Sequence, residues 1–253
     1  MTEPHKIIES RYENREERRT FIQDLFNRGA RHYDRIGSVG FLGTGHFYRK
    51  RALQRAGLEP GMDALDVACG TGAVTRPMLE IVGDPQKVFG VDPSEGMLGE
   101  AKNHIDARFQ EGHAEALPFE DARFDFLSMG YALRHVDDLE ATFVEYRRVL
   151  RPGGRMLLLE ITRPRTALGR FVAWLYFGLV LPPLSFLITG SRDASRMMSY
   201  YWETIDACVP PTTILDALER AGFKQLNRRV ELGIFSEYRA ETSSAGSDQE
   251  IGA

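Results

Sequence analysis

The sequence predicts an α/β fold, a mostly parallel sheet with helices on both faces. Three observations carry this reading. Apolar strand-like runs alternate with helical stretches between Met62 and Ile161. Gly70 and Gly72 stand in a strand-to-helix turn, Leu65-Asp66-Val67-Ala68-Cys69-Gly70-Thr71-Gly72. An acid, Asp92, closes the next strand in VFGVDPS, twenty residues past Gly72. Alternation of this kind pairs strands in parallel through right-handed crossovers and leaves ligands at the C-terminal strand ends.

The elements follow in order. The run MDALDVA from Met62 reads as a strand, Val74 to Val82 as a helix, KVFGVD as a strand and Ser94 to His104 as a helix. Phe124 to Ser128 and Met156 to Ile161 read as two more strands. Between them a helix runs from about Asp138 to Leu150 and stops at Arg151-Pro152-Gly153-Gly154, because proline cannot continue a helix and glycine favours the turn. No internal repeat is visible.

At 253 residues, with 43% hydrophobic and 27% charged residues, the protein suits one large domain with insertions. The stretch Glu241 to Ala253, small and polar, reads as a disordered tail. Net charge is −4, and Glu9, Glu13, Glu16 and Glu17 interleave with Arg11, Arg15, Arg18 and Arg19. That pattern predicts a solvated helix face and argues against a nucleic-acid partner. The two cysteines, Cys69 and Cys208, lie far apart and no secretory leader pattern opens the sequence, which points to a reducing cytoplasm. The six histidines lack metal-ligand spacing, so no metal is expected.

Glycine at the turn lets a ligand approach the backbone, and the two oxygens of Asp92 can accept from both hydroxyls of a ribose. A structural turn followed by a helix-capping Asp would give the same pattern. A dinucleotide site would need glycine at Thr75, and a triphosphate loop would need a lysine that is absent. An adenosyl group with a short tail free of phosphate remains, and S-adenosylmethionine fits.

At these residues the sequence resembles the class I methyltransferases, and within them the UbiE-type family that C-methylates ubiquinone and menaquinone precursors. The likeness spans about residues 20 to 240. It is carried by DVACGTG, VDPSEGML, GHAEALPFEDARFDFLSMGYALRHV, RVLRPGGRMLLLEIT, YYWETI and the AGF of Ala221 to Phe223. The resemblance implies a Rossmann-like, mostly parallel seven-stranded sheet with an antiparallel last strand. It also implies an N-terminal helical lid over 1–58, a cofactor-binding core over 59–240 and an apolar helical insertion at about 164–206.

The cofactor contacts it implies are Asp66, Ala68, Gly70, Thr71 and Gly72 in the turn, with Thr71 and the glycines at the methionine end. Asp92 would hold the ribose, His113 and Ala114 would flank the adenine, and Gly130 would lie below the cofactor. The family has Asp or Asn where this sequence has His113, which could also be a solvent-facing loop residue.

Methylation of a quinol carbon requires that a hydroxyl lose its proton to push electrons into the ring. A nearby cation favours the phenolate, and a base removes the proton. In ALRHV the resemblance makes Arg134 the phenolate stabiliser; an ion pair with Asp137 or Asp138 is the alternative. His135 replaces the family's Asn and could supply a base or simply pack at the helix start. In the lid segment, Tyr33-Asp34 and His46 match, Ile36-Gly37 replace Met-Asn, and Arg49 stands where Trp is expected. Tyr33 is the acceptor-facing hydroxyl, or else an aromatic anchor.

From Phe171 to Ser191 there is no formal charge. That length could span a bilayer as helix, but Pro182-Pro183 should break it, predicting two short helices. Thirteen large apolar side chains at roughly 1.5–3 kcal/mol each must be covered. The segment is therefore expected to roof the acceptor pocket and touch a membrane surface, with flanking arginines attracted to anionic headgroups. Core packing and a homodimer interface are the alternatives. The function expected is S-adenosylmethionine-dependent methylation of a lipophilic quinol at the cytoplasmic membrane face. N- or O-methylation of a phospholipid or polyketide-like metabolite, and cofactor binding without transfer, stand beside it.

Overall fold

A computed structural model describes residues 2–40 and 43–244. Two helices open it, α1 (Arg15–Gly40) and α2 (Gly45–Arg55). Then β1 (Ala64–Val67), α3 (Thr75–Val82), β2 (Val88–Asp92), α4 (Glu95–His104) and β3 (Arg108–Glu111) alternate. β4 (Phe124–Gly130), α5 (Leu139–Val149) and β5 (Leu150–Ile161) complete the parallel part. A helical stretch follows, α6 (Ala167–Ala173), a π-helix (Trp174–Val180), α7 (Leu181–Thr189) and α8 (Arg192–Ala207). The fold then closes with α9 (Pro211–Arg220), β6 (Lys224–Glu231) and β7 (Phe235–Glu241).

The seven strands form one sheet in the order β3-β2-β1-β4-β5-β7-β6. β7 runs antiparallel to both β5 and β6, and the other pairs are parallel. β1 and β2 are buried along their whole length, as expected for strands covered on both faces. Local chemistry sets the helix starts. Ser94 accepts from Met97 N at the head of α4, and Asp138 accepts from Glu140 N and Ala141 N at the head of α5. α3 ends on Gly83 at φ +78, a left-handed cap that glycine adopts without a Cβ penalty.

Four expectations change. Pro182-Pro183 do not break the helix: helical backbone continues from Ala167 to Thr189. The pair falls in the first turn of α7, directly after the π-helix, whose wider turn makes room for the proline rings although neither proline has an N–H to give to the carbonyls before it. The Arg151-Pro152-Gly153-Gly154 signal ends α5, but β5 already begins at Leu150, which pairs with Phe124 across a register shift before the regular ladder. The polar tail starts later than Glu241: Glu241 pairs with Arg155 in β7, and Thr242 Oγ1 donates to Arg151 O. The rest of that tail, from 245 on, lies outside the described residues.

The expected solvated face at the N-terminus is present only in part: Glu9, Glu13, Glu16, Glu17 and Arg19 are exposed, but the arginines are held by partners and one is buried. Arg11 pairs with Glu203 at 2.7 Å, Arg15 with Glu3 and Arg19 with Asp137. Arg18 is buried and donates to the carbonyls of Arg134 and Val136 at 2.9 and 3.1 Å. These side chains pin the N-terminal segment to the turn after β4 and to α8.

Candidate active site

A pocket opens at the C-terminal ends of β1, β2 and β4, with α1 laid across it. Its polar side is built on the glycine turn. Ala68 (φ +52) and Gly70 (φ +56) carry left-handed backbone and line the pocket. A Cβ at Gly70 would meet nothing within 4 Å, so the bare backbone leaves room for a ligand. Gly72 (φ +84) does not line the pocket. A Cβ there would stand 2.2 Å from Ile105 Cδ1, so its glycine serves packing, whereas its neighbours Gly70, Thr71 and Ala73 line the pocket. Gly130 does line the pocket, and a Cβ would sit 2.6 Å from Val74 Cγ2, so the α3 turn can pack close beneath.

Two buried carboxylates face this turn in different states of satisfaction. Asp66 accepts from Thr75 Oγ1 and Ser128 Oγ, each at 2.7 Å, so its oxygens are engaged by its own fold. Asp92 accepts from Gly70 N and Ser94 N, each at 2.8 Å, and keeps acceptor capacity toward the pocket that it lines. Burial pushes both carboxyls up, each to about 6. His113 and Ala114 line the pocket beyond Asp92. The donor and acceptor set fits an adenosyl ligand: a carboxylate with free acceptor capacity, an open glycine and, among the described residues lining the pocket, no Lys or Arg to bind a phosphate. Cys69, in the same turn, is buried with its thiol pushed well above 9 by desolvation, which makes it a poor nucleophile.

The other side is apolar and aromatic. Ile22, Phe26, Tyr33, Tyr131, His135 and Tyr201 line it. Both His135 nitrogens are buried and have no hydrogen-bond partner among the described residues. The ring stacks on Tyr200 at 5.7 Å and meets the edge of Phe26 at 5.3 Å. Burial, then Arg134, Arg18 and His5, hold the imidazole pKa well below 6.5, so it is neutral. Burial pushes the Tyr33 phenol up, so it remains a donor.

Arg134 does not line the pocket, which corrects the expectation that its guanidinium faces the ligands. It is fully buried and ion-paired with Glu160 of β5, not with Asp137 or Asp138. It also donates to Thr204 Oγ1 at 3.3 Å and Tyr131 O at 3.4 Å, and lies 4.7 Å from the centroid of the Tyr201 ring. The YYWETI stretch thereby gains its roles. Tyr200 backs His135, Tyr201 separates Arg134 from the pocket, Glu203 anchors Arg11 and Thr204 holds Arg134. Glu160 had a visible signal, a lone charge in the apolar run MLLLEIT. Tyr131 and Phe26 had none beyond their type.

The helices α1 and α2 are pinned to the pocket rim residue by residue. Gln23 donates to Pro93 O, Asn27 Oδ1 accepts from Ser94 Oγ and Gly96 N, and Thr71 donates to Asp34. Arg49, in the place of the expected Trp, donates to Ala73 O at 2.8 Å. His46 faces Glu80 at 3.2 Å, away from the pocket. No residue of the apolar helix lines the pocket among the described residues, so the expected roof is not a direct one; its inner residues, Ala173, Phe177 and Leu181, pack behind the aromatic wall in one core cluster with Met97, Tyr33, Tyr131 and Tyr201. The outer face is bare: Leu168 and Leu187 are 73% and 78% exposed, and 28% of the helix's most apolar window is buried.

The model of the ubiE/COQ5 methyltransferase family matches residues 12–239. The protein is 32% identical over 230 residues to the ubiquinone/menaquinone biosynthesis C-methyltransferase UbiE of Shewanella halifaxensis, covering 88% of each sequence. It is 34% identical over 224 residues to the demethylmenaquinone methyltransferase of Symbiobacterium thermophilum, covering 85% of this sequence and 89% of that one. In fold it is similar to a solved SAM-dependent methyltransferase of Thermotoga maritima, with a TM-score of 0.62 at 22% identity, over 87% of this protein and 99% of that one. The protein therefore belongs to the ubiE/COQ5 methyltransferase family and is an S-adenosylmethionine-dependent methyltransferase.

Proposed function

We propose that this enzyme transfers methyl to a ring carbon of a lipophilic quinol, such as a demethylmenaquinol or a ubiquinol precursor, drawn from a membrane surface. One observation carries the reading: a single pocket joins the Asp92 and Gly70 wall to an aromatic wall, and Tyr33, Tyr131 and Tyr201 of that wall share a core cluster with the inner side of a helix whose outer face is bare. The relatives named for ubiquinone, menaquinone and demethylmenaquinone chemistry support the same acceptor class.

S-adenosylmethionine supplies an electrophilic methyl on a sulfonium. Asp92 would accept from the ribose hydroxyls, His113 and Ala114 would border the adenine, and Ala68, Gly70, Thr71 and Gly130 would hold the methionine end, with Asp66 holding the turn that carries them. On the acceptor side Tyr33 donates to a quinol oxygen, and neutral His135 accepts from the reacting hydroxyl. A proton on His135 would be disfavoured first by burial and then by the charges of Arg134 and Arg18. Methyl transfer would remove one positive charge from the site as the proton arrives, so the total charge there would not rise; the hydrogen displaced from the ring carbon would then leave as a proton on re-aromatisation, and the ring oxygen would take its proton back from His135. Arg134 acts through Tyr131, Tyr201 and the turn that carries His135; it is a positioning residue.

The apolar face of residues 167–189, with Arg163 and Arg165 before it and Arg192 and Arg196 after it, is read as docking the enzyme peripherally on an anionic bilayer at the cytoplasmic face. Incubation with methyl-labelled S-adenosylmethionine and reduced quinone-containing lipid extract, followed by mass spectrometry, tests the acceptor. Label on a ring carbon is expected; label on an amine or a hydroxyl oxygen overturns the assignment.

A further inference from the structure

We infer that Tyr131 is a specificity-determining residue: its side chain sets the acceptor ring in place, and its strained backbone exists to present that side chain. The inference rests on the quinol reading above and deepens it. Tyr131 directly follows β4 and has φ +62. An aromatic L-residue in this region costs on the order of 1–3 kcal/mol and persists only where its surroundings overdetermine it. Glycine or asparagine would make the same turn more cheaply, so the turn alone does not account for a tyrosine here.

The surroundings do overdetermine it, and from one strand. Tyr131 N donates to Leu159 O at 2.7 Å, and its carbonyl accepts from Arg134, whose guanidinium is paired with Glu160. Leu159 and Glu160 are adjacent on β5, which pairs with β4 up to Gly130↔Leu159. The backbone is thus held on both sides of the left-handed residue by the central sheet.

The side chain stands where the two halves of the pocket meet. Gly130, the preceding residue, belongs to the floor of the polar side, whereas Tyr33, His135 and Tyr201 form the aromatic side. Tyr131 packs against the core cluster containing Tyr201 and Phe177 and also against the cluster beneath α2 and α3 that contains Val74 and Leu157. It is thereby wedged from two directions while still lining the pocket. No hydrogen bond to its hydroxyl is present among the described residues, and burial keeps the phenol protonated. An unengaged O–H donor on an immobilised ring suits a quinol: the ring gives a flat apolar surface and the hydroxyl meets an oxygen.

The test compares Tyr131→Phe, Tyr131→Gly and Tyr131→Asn with the parent enzyme. Each is assayed for melting temperature, affinity for S-adenosylhomocysteine by calorimetry, and kcat and KM with a short-chain demethylmenaquinol. Tyr131→Phe should raise the acceptor KM about tenfold, the fold-change for losing one neutral hydrogen bond. Tyr131→Gly and Tyr131→Asn, which accept the left-handed backbone, should lower kcat/KM for the acceptor by about 100-fold, as misplacement of a reactant does. Their S-adenosylhomocysteine affinity should stay within about twofold of the parent, taken as the margin of such a titration.

Acceptor kcat/KM close to the parent value in both Tyr131→Gly and Tyr131→Asn overturns the inference. So does a fall in cofactor affinity as large as the fall in kcat/KM, since that would make Tyr131 a structural or cofactor residue. A parent enzyme that fails on the quinol overturns the acceptor reading separately. The same series is then run on the acceptor labelled in the lipid extract, where the same outcomes decide on Tyr131.

Discussion

Replacing Glu160 by alanine should strip the only carboxylate paired with Arg134 among the described residues. Both side chains are fully buried. One Glu160 oxygen receives Arg134 and Ile161 N, and the other has no partner among the described residues. Burial drives the Glu160 carboxyl upward against the pull of Arg134; it also works to lower the Arg134 pKa, but the Glu160 charge outweighs it and the guanidinium stays protonated. Without Glu160 that charge would be left with Thr204 Oγ1, Tyr131 O and the Tyr201 ring, none of them ionised. Breaking a buried pair on one side costs about 3–5 kcal/mol. For a protein of this size each kcal/mol moves the melting temperature by roughly 2–4 °C, so Glu160→Ala should melt about 6–20 °C below the parent. The double change Arg134→Met with Glu160→Leu removes both charges and should recover most of that loss. Turnover should not return with it, because the donor to Tyr131 O is gone. Differential scanning calorimetry and a methyl-transfer assay on the same preparations check both halves. A Glu160→Ala protein melting within about 2 °C of the parent, less than 1 kcal/mol on the same scale, would refute the buried ion pair. A double variant with parental turnover would refute the positioning role of Arg134.

Asp92→Ala should weaken S-adenosylhomocysteine binding by roughly 10²–10⁴-fold, two hydrogen bonds to a charged acceptor at about 1.5–3 kcal/mol each; calorimetry reads this directly. Because Asp92 sits at about 6 in the fold, above the unfolded carboxylate, its contribution to stability is present at low pH and lost as pH rises through about 6. Ligand affinity runs the other way and should fall about tenfold by pH 5 as the acceptor protonates. Gly72→Ala, which must displace Ile105 and strain φ +84, should lower the melting temperature while leaving cofactor affinity of the folded enzyme unchanged; a selective loss of affinity would return Gly72 to the site. Phe171→Asp with Leu187→Asp should weaken binding to anionic phospholipid vesicles, read by flotation, by roughly 10²–10⁴-fold, from about 1.5–3 kcal/mol for each of the two side chains no longer inserted. Parental flotation of that variant, or a lipid-free dimer in sedimentation that hides this face, would count against membrane docking.

Much of the core was legible because its signals are local. Gly70, Thr71 and Asp92 belong to one turn and one strand end, and the covalent distance between them fixes where the next strand must return. Tyr33 and His135 were legible by residue type and motif. The role of Arg134 was not. A guanidinium in ALRHV can face a ligand or turn away, and the choice depends on Glu160, which is 26 residues downstream. The interleaved charges of Arg11 to Arg19 read as solvent-facing for the same reason, since their partners Glu203, Glu3 and Asp137 are remote in sequence for two of the three pairs.

Strand and helix periodicity, the glycine turn and the uncharged run are properties of neighbouring residues, so the sequence by itself determined the parallel sheet, the cofactor edge and the need to cover an apolar helix. Tertiary structure decided the rest: that Pro182-Pro183 could sit inside a continuous helix, that Gly72 serves packing, that Arg134 stands behind Tyr201, and that Tyr131 turns left-handed at the pocket's centre. Each of those outcomes is set by a contact across the fold, where burial makes the position of one partner fix the state of the other.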